Sequence, residues 1–143
     1  MNTYRQLLVH IDAGGRTTPR LRAARSIAQV QGAAVSACYA VTSSFLGAPF
    51  GAAMAPQLVE GLAELDQERR DGARKAFDLE MREPGPVAGW CETSGAGVES
   101  VFIGQALYAD LLVLGQDDGS NPRGAPPDFN EAVILGSGRP ALV

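Results

Sequence analysis

Short apolar runs alternate with longer segments of helical period along the chain. Leu7-Leu-Val-His-Ile-Asp12 is apolar at nearly every position and ends on a carboxylate. That pattern predicts a strand over 6–11, covered on both faces of a sheet. Thr17-Thr18-Pro19 then predicts a helix start, a hydroxyl cap with proline in the first turn. Leu21, Ala24, Ile27 and Ala28 supply its apolar stripe and Gly32 its end. A second strand is expected over 34–41. The stretch from Ser43 to Pro56 has no period and holds Gly47, Pro49 and Gly51, so it is expected to be a long loop, with a lid over a pocket as a second reading.

Helical period resumes from Gln57 to Arg82, with Leu58, Leu62, Leu65, Ala73, Ala76 and Phe77 expected to face inward. Glu83-Pro84-Gly85-Pro86 breaks it. A third strand is expected over Val87–Glu92 and a third helix over Gly97–Tyr108, with Val98, Val101, Phe102 and Ala106 on its core side. Leu111–Leu114 predicts a fourth strand running into Gly115, followed by a loop rich in glycine, aspartate and proline. A short helix, Asp128–Leu135, and a last strand, Pro140–Val143, complete the order. Five strands separated by helices imply parallel pairing in one α/β domain over 1–143, with helices on both faces of the sheet. In such a sheet, ligands are kept at the C-terminal ends of the strands. The ends at Asp12 and Gly115 therefore mark the candidate site.

Composition narrows the partners. The 143 residues carry 16 acidic against 12 basic side chains, a net charge of −4, with one lysine, Lys75. No basic stripe is present to neutralise phosphates along a nucleic acid, so none is expected as a partner. No apolar run approaches the roughly 20 residues that span a bilayer, so no membrane partner is expected. The start of the chain has no secretory layout, which implies a cytoplasmic location. Cys38 and Cys91 fall inside expected strands and are expected to be free thiols. The apolar end at Pro140–Val143 is an edge that a protein covers or pairs, through further chain or a second copy.

With the elements in place, the chain resembles the universal stress protein family. Leu7–Asp12 is similar to that family's first strand and the aspartate after it. Asp110-Leu-Leu-Val-Leu-Gly115 is similar to its fourth strand and the entry to its nucleotide loop, and Arg139-Pro-Ala-Leu-Val143 to its closing strand. The resemblance implies a Rossmann-like, five-stranded parallel sheet of the adenine nucleotide alpha hydrolase-like kind. It also implies a non-enzymatic stress-response module that dimerises through its last strand, Pro140–Val143, or pairs there with a tandem domain. Residues 122–140 resemble tandem-type members more closely. In one branch of the family ATP binds.

The departure lies in the nucleotide loop. The ATP-binding branch spaces two glycines by two residues, then nine residues later opens a helix with glycine and Ser/Thr. Those backbone N–H groups approach phosphate oxygens. Here Gly115 is followed at that spacing by Asp118, with Gly119 displaced by one. Phe129 stands ten residues after Gly119, and Gly136-Ser137 comes after the short helix. Asp117 and Asp118 lie where a triphosphate would dock. A carboxylate about 4 Å from a phosphate charge costs roughly 1 kcal/mol in water and about 4 kcal/mol at an effective dielectric near 20. No cofactor is therefore expected.

The alternative is an ATP- or AMP-binding sensor whose unconventional cradle uses Asp12, Gly115, Gly119, Ser120 and Arg123. Asp12 itself has two readings, an adenosine contact or an Asx-turn acceptor for N–H groups around Gly14-Gly15. Asp117 and Asp118 read as a solvated turn before a cation site, and Thr93-Ser94 as a helix cap before an anion site. His10 reads as a hydrogen-bonded core histidine, and Trp90, Phe102 and Phe129 as core. Neither a metal set nor a catalytic residue is expected: one histidine and two separated cysteines make no zinc site, and Gly136-Ser137-Gly138 lacks a base. A phospho-receiver would need an acidic cluster near the first strand and a lysine after the fifth. Arg139 does not supply that lysine.

Overall fold

The computed structural model describes residues 3–46, 48, 53–93, 97–117 and 124–143. Nine elements alternate: β1 (Gln6–Ile11), α1 (Thr17–Gln31), β2 (Ala34–Tyr39), α2 (Pro56–Glu80), β3 (Ala88–Glu92), α3 (Val98–Ala106), β4 (Leu111–Val113), α4 (Phe129–Ser137) and β5 (Ala141–Leu142). The strands form one sheet in the order β3-β2-β1-β4-β5, and every pairing is parallel. This is the expected α/β, Rossmann-like architecture. The chain winds outward from β1 through β2 to β3, then crosses back to β4 and β5. The topological switch point therefore lies between β1 and β4.

Alternation along β1 supplies both cores. Leu7, Val9 and Ile11 face one layer with Leu21, Ala24, Ala28 and Phe77, so α1 and α2 cover that face. Leu8 faces the other layer with Val98, Phe102, Phe129 and Val133, from α3 and α4. His10 is fully buried on this side. Its ring is stacked on Phe129 at 4.3 Å and edge-on to Phe102 at 5.4 Å. Its Nε2 lies 2.8 Å from the Ala40 carbonyl.

Gly136 and Ser137, expected after the short helix, lie inside α4, and three further expectations change. The hydroxyl cap of α1 is not made: Arg16 occupies the cap position, and Thr17 Oγ1 instead donates to the Gly14 carbonyl at 3.5 Å. Val101 is 41% exposed on the outer side of α3. The third correction concerns α2, in which Ala73, Phe77 and Glu80 are buried, while Leu58 and Leu65 are 54% and 38% exposed. A helix of 25 residues is about 37 Å long, and a six-residue strand is about 20 Å. The helix outruns the sheet, so its first half has no sheet to cover.

Two polar clamps hold the layers. The Asp110 carboxylate accepts the N–H groups of Arg5 and Gln6 at 2.8 and 2.9 Å, tying the start of β1 to that of β4. Those backbone hydrogen bonds hold its carboxyl below the usual carboxylate range. On the other face Arg25, 5% exposed, reaches out of α1. Its guanidinium donates to the Glu80, Glu83 and Pro86 carbonyls and to Glu80 Oε1, all within 2.9 Å. Carbonyls left over at the end of α2 are thus capped by a cation. Among the described residues no helix is long and apolar enough to cross a membrane.

Removing Arg25 leaves three carbonyls without their donor and the Glu80 carboxylate with only the largely exposed Arg22 as partner. Arg25→Ala is expected to lower unfolding free energy by about 3–5 kcal/mol, read from the urea midpoint at unchanged slope. A loss below about 1 kcal/mol, the scale of a surface pair, would show that the clamp is not structural.

Candidate functional site

The switch point brings Asp12, at the end of β1, close to Gly115, just past β4. Asp12 is 1% exposed. Its Oδ1 accepts the Gly14 N–H at 2.9 Å, which makes the turn into α1. Its Oδ2 pairs with Arg20 Nη2 at 3.1 Å, the two side chains being 0% and 6% exposed. Arg20 Nη1 also donates to the His10 carbonyl at 2.6 Å. A carboxylate and a guanidinium this deep offset one another's loss of water only when paired and hydrogen-bonded.

That guanidinium lies directly over Gly115. A Cβ at position 115 would overlap it, so glycine is required here for close approach. Gly115 is itself buried, and its carbonyl accepts Asn130 Nδ2 at 2.9 Å. Asn130 is the second residue of α4, and the buried Phe129 is the first. The returning loop also reaches β2: Gly124, at φ +72°, accepts the Thr42 N–H at 2.7 Å and leaves no room for a side chain against Val41.

The structure thus brings Asp12 and Gly115 together. Gly119, Ser120 and Arg123 lie outside the described residues, as do Asp118 and Ser94. Asp117 is exposed. Arg20 is the site residue that sequence reasoning missed. It sits next to Leu21 and one turn before Ala24, within the inward stripe of α1, and a charge at such a position signals a buried partner.

A second feature lies on the same edge of the sheet, beyond β2 and β3. It is an open cavity of about 330 Å³, walled by Tyr39, Val41, Phe45 and Val59, with Asp66 and Arg70 at its polar side. Asp66 holds the turn after β2, accepting the Ser43 and Ser44 hydroxyls and the Ser44 N–H. Arg69 donates to the Ser44 hydroxyl at 3.0 Å. Burial, reinforced by the Asp66 charge, pushes the Tyr39 phenol up to about 12, so it is a neutral hydroxyl at neutral pH. Among the described residues no group of three or more His, Cys, Asp or Glu could hold a metal ion.

No protein-family model matches the chain, and no curated protein sequence matches it. Solved structures do. It is similar to the universal stress protein UspA from Lactobacillus plantarum, with a TM-score of 0.66 at 20% identity over 98% of this chain and 97% of that one. It is similar also to a protein of the universal stress protein family from Burkholderia pseudomallei, with a TM-score of 0.57 at 19% identity over 99% and 96% of the chains. A third is a universal stress protein solved in complex with cAMP, with a TM-score of 0.54 at 20% identity over 99% and 96%. The chain has the fold of these proteins nearly end to end.

If Gly115 is glycine because Arg20 lies against it, the two positions must be coupled. Gly115→Ala is expected to destabilise the protein by about 1–3 kcal/mol, measured by urea unfolding, and to cost much less in an Arg20→Ala background. An equal cost in both backgrounds would show that some other neighbour requires the glycine.

Proposed function

We propose that this chain is a universal stress protein domain acting as a non-enzymatic stress-response module, and that its nucleotide loop is degenerate. The observation that carries the reading is the Asp12–Arg20 pair packed on Gly115. In a sheet of this order the switch-point crevice is where a ligand settles. Here the chain's own guanidinium lies in it and engages the carboxylate that the family resemblance would assign to a nucleoside. Two further features support degeneracy. Phe129 and Asn130 open α4 where the ATP-binding pattern has glycine and Ser/Thr, and the Thr42 N–H is spent on the Gly124 carbonyl.

A second reading is a nucleotide sensor. It is favoured by the likeness to a structure holding cAMP and by the cavity beyond β2, large enough for a small ring system. Its cradle would use Ser120 and Arg123 with Asp12, Gly115 and Gly119. Calorimetric titration of the purified chain with ATP, AMP and cAMP, each with and without Mg²⁺, separates the two. Dissociation constants all weaker than about 10 µM, near −7 kcal/mol, are expected. Tighter binding of any of them overturns the degenerate-loop reading and supports the sensor.

For assembly we propose pairing through β5, with a second copy or with a tandem domain. β5 lies at the edge of the sheet, and Leu142, Val143 and Leu135 of the neighbouring α4 are 43%, 57% and 83% exposed. An apolar edge of this kind is a template for pairing. Light scattering is expected to find a dimer, and Leu142→Lys a monomer with an unchanged circular dichroism spectrum. A wild-type chain that stays monomeric overturns the homodimer.

A further inference from the structure

Neither cysteine takes part in the site described above, yet the fold sets them side by side. Cys38 on β2 and Cys91 on β3 are register partners on adjacent strands. Both are free thiols, and both belong to the layer that faces α3 and α4. Adjacent strands lie about 4.8 Å apart, within the roughly 4.4–6.8 Å over which a disulfide joins two Cα atoms. The two sulfurs differ in access. Cys38 is 1% exposed, whereas Cys91, on the edge strand, is half-buried.

We propose that Cys38 and Cys91 form a peroxide-responsive dithiol, in which Cys91 is oxidised first and Cys38 closes the disulfide. Access fixes the division of labour: Cys91 stands half-buried on an edge strand where peroxide reaches it, and Cys38 lies behind it, 1% exposed. The Cys38 side chain beside it lowers the Cys91 thiol, while Cys91 and burial push Cys38 up; the thiolate is the nucleophile.

The steps balance with hydrogen peroxide as oxidant. Cys91 Sγ attacks one peroxide oxygen, so an S–O bond forms, the O–O bond breaks, and hydroxide leaves to take a proton as water. Cys91 is then a sulfenic acid. Cys38 Sγ, having released its proton, attacks the Cys91 sulfur. The S–S bond forms, the S–O bond breaks, and a second water leaves. Two thiols lose two electrons and one peroxide becomes two waters. Sulfurs held on opposed residues of a parallel ladder must be drawn together to bond, and a strained disulfide is the readily reduced kind.

The test treats the reduced full chain with a small excess of hydrogen peroxide, followed by intact mass and thiol titration. Both thiols are expected to disappear with the loss of two hydrogens of mass, and to return with dithiothreitol. Cys38→Ser is expected to stop at a dimedone-trapped sulfenic acid on Cys91, and Cys91→Ser to leave Cys38 unreacted. In the unoxidised protein, Cys38→Ala, which removes the neighbouring thiol, is expected to move the pH midpoint of iodoacetamide alkylation of Cys91 upward. Over-oxidation of Cys91 beside an intact Cys38 thiol, disulfide-linked dimers, or an unmoved midpoint would each overturn the proposal.

Discussion

The buried pair of Asp12 and Arg20 is the constraint around which this sheet edge is arranged. Two opposite charges, neither more than 6% exposed in its side chain, stand where β1 and β4 diverge. Neither survives there alone, because an unpaired buried charge costs several kcal/mol. Each is therefore given further hydrogen bonds: the Gly14 N–H for the carboxylate and the His10 carbonyl for the guanidinium. The pair shapes its neighbours. It sets the turn into α1, and it admits only glycine at 115. Gly115 in turn anchors Asn130 at the head of α4, so one ion pair registers α1, β1, β4 and α4 against each other.

The central strands β1 and β4 were legible in the sequence because they are covered on both faces, which leaves unbroken apolar runs such as Leu7–Ile11. The stop of α1 was legible from Gly32, in left-handed conformation where a side chain would be strained, whereas α4 was expected to end at Leu135 and runs on through Gly136 and Ser137 to its left-handed cap at Gly138. The inward face of α2 was legible only in its second half. Periodicity reports which side of a helix is apolar, not whether a sheet lies beneath it, and Leu58 and Leu65 lie beyond the sheet. At the site, Asp12 and Gly115 were legible because they follow apolar runs. Arg20 and Arg25 were not, since a charge on a helix is read as solvated unless its place on the apolar stripe is weighed. The opposition of Cys38 and Cys91 depends on the register of β2 with β3, which no local pattern carries.

The two edges of the sheet are finished differently. At β3, Trp90 lies at 5.1 Å from Phe77 and 6.0 Å from Tyr39, with Arg74 over its ring at 5.2 Å and Glu92 accepting its indole N–H at 2.8 Å. Aromatic stacking and a cation on the ring's face leave that edge covered and charged, as edge strands that stay single are. At β5 only two residues join the ladder, and the side chains around them are aliphatic. An edge finished with leucine and valine is one that gains from being covered, which is why the proposed pairing uses β5 and not β3.

A crevice filled by the chain's own residues is what the degenerate-loop proposal needs for this fold to stand without a nucleotide. A nucleotide bound at a switch point bridges the ends of β1 and β4 and contributes to holding them in register. When that bridge is lost, the backbone N–H and C=O groups at the strand ends still need partners, and the turn still needs its charge neutralised. Here Arg20 supplies the positive charge and two donors, Asn130 the side-chain amide, and Gly124 the carbonyl for Thr42. Each satisfies from within the chain a polar group at the strand ends. The same packing that stabilises this edge would have to be undone before a nucleotide could enter, and undoing it would expose Asp12 without its partner. On the proposed reading, retained architecture and weak nucleotide binding have this one physical cause.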